Sequence, residues 1–173
     1  MKHLDEFIIP LSGSKEGASE HSFELKKDFF EYFDDNEIND AKLTVLMTLT
    51  KSISVFEMDF RLVGELTVAC DRCLEDMAQA IDYRTELIIK YGEKYEEIDD
   101  KVISIPHNED QINIASFIYE FAKLALPIQR THPEGECNEE MLKQMEKYER
   151  KEEKEEKTDA RWDALAQLKD KLD

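Results

Sequence analysis

The residues best placed to do chemistry are Cys70 and Cys73, two apart in Cys70-Asp71-Arg72-Cys73, and His132 and Cys137, with four residues between them. A CxxC turn at the tip of a β-hairpin brings two thiols to one side, at the separation one tetrahedral ion needs. Zinc accepts three thiolates and one imidazole as a donor set. All three cysteines of the chain fall in this set, and an odd count argues against a disulfide framework. Two other readings stand beside zinc. In the first the residues do no chemistry: Cys70 is an apolar strand end, Cys73 opens a turn and His132 is a surface loop residue. In the second, CxxC is a thioredoxin-like redox pair. That chemistry needs the first cysteine at a helix N-terminus, whereas a strand precedes Cys70. No glycine-rich phosphate loop, Ser-His-Asp set or HExxH pattern is present, and His3, His21 and His107 read as scattered surface residues.

Strands must carry the hairpin. Leu43, Val45, Met47 and Leu49 alternate with more polar neighbours. So do Phe56, Met58, Phe60, Leu62, Leu66, Val68 and Cys70, and then Ile81, Tyr83, Thr85, Leu87, Ile89 and Tyr91. A period of two with one polar face marks an antiparallel sheet wetted on one side. Ile53 and Val55 break the parity, which a bulge or bend near Val55 would absorb. Phe7-Ile8-Ile9-Pro10 reads as an edge strand, and Gly92 to Asp110 as an acidic, irregular segment in which Val102–Pro106 is a short strand. The spacing of Leu25, Phe29 and Phe33 predicts a helix starting near Phe23. Ile114, Phe117, Ile118, Phe121, Ala122 and Ala125 predict a second helix, capped by Asn113 and ended by Pro127. The expected fold is α+β: a mostly antiparallel, twisted sheet of about five to seven strands, able to curl toward an open barrel, with covering helices.

The chain of 173 residues carries 41 acidic and 23 basic side chains, a net charge of −18. A surface of that sign repels phosphate backbones and argues against a free-standing nucleic-acid binder, with no DNA expected. From Glu134 onward 14 acidic residues face nine basic ones, so −5 lies there and −13 in the preceding part. Composition changes after Cys137. The expected organisation is a sheet domain over residues 1–137 and a charged helical extension over 138–173. The extension's apolar stripe is Trp162, Leu165, Leu168 and Leu172. No apolar run approaches a membrane span and the N-terminus lacks a signal-peptide pattern, so a cytoplasmic location is expected.

Four pieces in order resemble the YceD family, bacterial proteins linked to accumulation of large-subunit ribosomal RNA. They are Cys70-Asp71-Arg72-Cys73-Leu74-Glu75; the apolar helix closing in Leu126-Pro127; the loop with His132 and Cys137; and Asp159-Ala160-Arg161-Trp162 with Leu165, Leu168 and Lys169. Ala160 departs from the proline usual in that motif, which suggests that the charged helix runs on unbroken. The resemblance implies a non-enzymatic factor in ribosomal RNA processing or large-subunit assembly. Its partner would be a ribosomal protein or a large-subunit RNA precursor, with Arg72, Arg161 and Trp162 as candidate contact residues, although the Arg161–Trp162 helix reads first as packing on its own sheet. Two mechanisms are open. A local basic face of Arg72, Arg84, Lys90, Lys123 and Arg130 would touch RNA, or the acidic surface would bind a basic ribosomal protein. The charge favours the second. An enzyme using the Cys/His cluster and a regulatory module with no RNA link are the alternatives.

Overall fold

The computed structural model describes residues 4–11 and 17–148. Contacts divide the chain into two compact units, Met1–Asn138 and Glu139–Asp173. In the first unit a 3-10 turn at Asp5–Phe7 leads into β1 (Ile8–Pro10), β2 (Gly17–Leu25), α1 (Lys27–Tyr32), β3 (Ile38–Lys51), β4 (Val55–Ala69) and β5 (Asp76–Gly92). Then follow β6 (Glu96–Asp99), β7 (Val102–Pro106), β8 (Gln111–Asn113) and α2 (Ala115–Leu124). In the second unit α3 spans Glu139–Tyr148, and none of its residues is buried.

The fold is α+β. Six strands form one sheet in the order β2-β3-β4-β5-β7-β6, antiparallel except for β5 with β7, and β1 pairs with β8 in a separate ribbon. Among the described residues the two outer strands of the sheet, β2 and β6, do not pair with each other, so the sheet is open rather than a closed barrel. The long meander β3-β4-β5 obeys the alternation: Leu43, Val45, Met47 and Leu49 face the core, as do Phe56, Met58, Phe60 and Leu62. The polar face stays wet, and α2 covers the dry one. Asn113 Oδ1 accepts from the Ala115 amide at the helix start. Phe121 packs on Phe60 at 5.2 Å, and Tyr119 stacks on Phe33 at 4.5 Å.

Two expectations need correction. Phe23 and Leu25 belong to β2, not to a helix, and both are buried. Their i, i+2 spacing wins because β3 offers an edge to pair with; α1 begins only at Lys27. The parity break near Val55 falls, as expected of a bend, where the chain turns between β3 and β4, with the Ser52 amide donating to Val55 O and Ile53 exposed at the tip. The acidic stretch after Gly92 also contains β6, a fully exposed edge strand whose charges discourage further pairing.

Candidate metal centre

The β4–β5 hairpin closes where the Cys70 amide donates to Glu75 O, and the Leu74 amide donates back to Cys70 O at 2.9 Å. The six residues Cys70–Glu75 therefore form a knuckle. Its last turn needs a positive φ at Leu74 (+62°). For a leucine that conformation costs about 1–2 kcal/mol. The loop after α2 supplies the other half. The Glu136 amide donates to Pro133 O, and Gly135 takes a φ of +88°. A tight turn with glycine at its third position folds the chain back on itself. It returns Cys137 to the side of His132, and this explains the four-residue gap.

Knuckle and loop meet. The donor atoms of Cys70, Cys73, His132 and Cys137 all lie within 4.8 Å of one another. Cys70 Sγ is 3.9 Å from Cys137 Sγ, Cys73 Sγ is 3.3 Å from His132 Nδ1, and Cys137 Sγ is 4.0 Å from the same nitrogen. A tetrahedral zinc with usual bond lengths separates its sulfurs by about 3.8 Å and sulfur from nitrogen by about 3.6 Å. The four residues could thus hold one such ion. The thiols are free, and 3.9 Å is far beyond the roughly 2.05 Å of a disulfide.

The electrostatics prepare thiolates. Burial pushes the Cys70 thiol up, but the amides of Cys73, His132 and Arg72 and the Cys73 side chain outweigh it and bring it down to about 6. The Arg72 amide is one of these donors, 3.4 Å from the sulfur. Cys73 is lowered chiefly by the Asn138 amide, whereas burial raises Cys137. His132 is raised, first by the Cys70 sulfur. Backbone donors aimed at sulfur are the usual outer support of a thiolate ligand set.

The centre is braced by two of the expected basic-face residues, Lys123 and Arg130, and by acidic residues to which the sequence assigned no role. Arg130 and Asp71 join the two halves, the Asp71 amide donating to Arg130 O and the Arg130 amide to the Asp71 carboxylate, and Glu37 receives both Lys123 and Arg130. Asp35, almost fully buried as a side chain, accepts from the amides of Glu37 and Ile38, from Tyr119 Oη at 3.0 Å and from Lys123 Nζ at 3.1 Å. The only sequence signal for Asp71 was its place inside CxxC. Asp35 and Glu37, 84 to 93 residues from their partners, had none.

The expected basic face does not assemble. Lys123 and Arg130 are committed to carboxylates. Arg84 and Lys90 sit along β5, opposite Arg61 and Val55, away from the hairpin tip. Arg72 is exposed at the tip. Arg161 and Trp162 lie outside the described residues.

A family model described as large ribosomal RNA subunit accumulation protein YceD matches residues 58–169, well over half of the chain. The chain belongs to the YceD family. The YceD match takes in the knuckle, α2 and the ligand loop, and leaves β1 to β3 outside it. No curated protein and no solved structure matches the chain. The YceD description links the family to large-subunit ribosomal RNA. No helix among the described residues is long and apolar enough to cross a membrane.

Proposed function

We propose that this YceD-family protein is a non-enzymatic cytoplasmic factor in large-subunit ribosomal RNA accumulation, and that it acts by binding a basic ribosomal protein. The observation that carries the reading is the pairing of its cations. Lys123 and Arg130, the best-placed contributors to an RNA-facing patch, are neutralised by Asp35, Glu37 and Asp71, and Arg61 by Asp82. What remains on the surface of the first unit is predominantly anionic. Such a surface attracts a basic polypeptide and repels phosphates.

Cys70, Cys73, His132 and Cys137 are proposed to hold a structural zinc. The ion would tie the hairpin tip to the loop after α2 and supply folding energy. A catalytic zinc keeps a position open for water, and four protein donors around one ion would leave none. This supports the non-enzymatic reading over a metal-dependent hydrolase.

The test is a crosslinking pull-down from growing cells that reads both RNA and protein. Recovery of one or a few basic ribosomal proteins, with weak dependence of any RNA signal on salt, is expected. Tight recovery of naked ribosomal RNA with a steep salt slope and no ribosomal protein would overturn the reading.

A further inference from the structure

Three large apolar side chains of the knuckle, the end of α2 and the segment after it face water. Leu74 is 69% exposed, Leu124 is 67% exposed and Ile128 is fully exposed. Single exposed leucines are ordinary. These three are not scattered. Leu74 lies three residues after Asp71 and Ile128 two before Arg130, and the Asp71–Arg130 backbone pair joins those segments. Leu124 follows Lys123, which lines the same open cleft as Leu74. Leu74 also holds a left-handed conformation that glycine or asparagine adopts more readily. Strained residues that persist without a packing reward point to use at a surface.

The charge around these residues selects the occupant. Asp71, Glu75, Asp76, Glu134 and Glu136 surround the knuckle and loop, and all five are exposed. Arg72, Lys123 and Arg130 are the cations there; Lys123 is held by Asp35 and Glu37, and Arg130 by Glu37 and Asp71. Nucleic-acid phosphates would meet carboxylates. A segment carrying lysines and arginines beside one or two apolar side chains would meet complementary charge and an apolar seat.

We infer that the rim of the knuckle, formed by Leu74, Leu124 and Ile128 inside an acidic border, is the docking surface for a basic, apolar-anchored segment of the protein partner. The inference rests on the reading of this chain as a binder of a basic ribosomal protein, and it names where that binding occurs.

The test immobilises the full chain and probes it with the proteins extracted from purified large ribosomal subunits. Wild type is compared with Leu74→Asn/Ile128→Ser. Both side chains are exposed, so melting temperature and zinc content should hold, and asparagine tolerates the left-handed backbone. The expected result is retention of a basic ribosomal protein by wild type and a loss of affinity of about tenfold or more in the double variant. If the double variant, folded and metal-loaded, binds the same protein equally well, the docking surface is overturned and the wider reading survives. Should wild type retain no ribosomal protein from that extract, both fall.

Discussion

Asp71 and Arg130 clasp each other through the backbone across 59 positions of sequence: the Asp71 amide donates to Arg130 O at 2.7 Å, and the Arg130 amide donates to Asp71 Oδ2 at 2.6 Å. This clasp brings the His132–Cys137 loop to the knuckle. Asp71→Ala removes the side-chain half of it. Outer-shell losses of this kind typically weaken metal binding about 10- to 100-fold. Zinc affinity measured by competition with a chromogenic chelator should fall by that order, and equal affinity would show that the clasp does not position the ligands.

Elemental analysis of protein expressed with ample zinc should find one equivalent per chain. Less than about a tenth of an equivalent would refute the site. Cys73→Ser should lower metal content and melting temperature together, because an ion that joins two distant segments contributes to folding. An unchanged melting temperature would break that link.

Acid should loosen the brace beside the centre. Burial would raise the Asp35 carboxyl, but the Glu37 amide, Lys123, Tyr119 and the Ile38 amide pull it below its ordinary 3.8. Lys123 and then Arg130 pull Glu37 below 4.5. Folded values beneath unfolded ones mean stability that is present above the unfolded values and is lost as pH falls through the folded ones. Glu37→Gln should therefore be less stable than wild type at pH 7 by about 1 kcal/mol, given that Glu37 itself is nearly half exposed. That gap should narrow below pH 4.5. A gap independent of pH would contradict the assignment.

Gly64 lies on the core side of β4 with a φ of +147°, and a Cβ there would stand 2.1 Å from Lys42 O, a backbone atom. The strand cannot yield without breaking its ladder to β3. Gly64→Ala should cost at least about 2 kcal/mol in urea unfolding. A loss under about 0.5 kcal/mol, the range of an ordinary surface substitution, would mean the sheet relaxes there.

On the wet face Arg61 sits directly opposite Arg84, with Asp82 hydrogen-bonded to Arg61 and attracted only through space by Arg84. Like charges opposed across strands are unfavourable. Arg84→Thr should stabilise the fold by about 0.2–1 kcal/mol, read from the denaturant midpoint. Destabilisation would point to a role for Arg84 that the ladder does not display.

Much of the sheet was legible because alternation is a local property of the covalent order. Where Leu43 to Leu49 and Phe56 to Leu62 alternate, each strand could bury only one face, and the α+β class followed. The helix over Ile114 to Ala125 was legible for the same reason, with Asn113 and Pro127 as its punctuation. Leu25, Phe29 and Phe33 misled because spacing by four also fits a strand end followed by a helix. Only the available edge of β3 decides between them.

The residue types of the cluster, the CxxC turn and the overall acidity were set by the sequence alone, since they depend on composition and short spacing. Tertiary structure decided which charges are spent and which are free. Lys123 and Arg130 look basic in the chain, but Glu37 reaches them from 86 and 93 residues away and cancels them. It also decided that a loop 59 positions beyond the knuckle returns to it. Both are long-range contacts, formed when packed elements bring distant segments within bonding distance, and no local pattern encodes that distance.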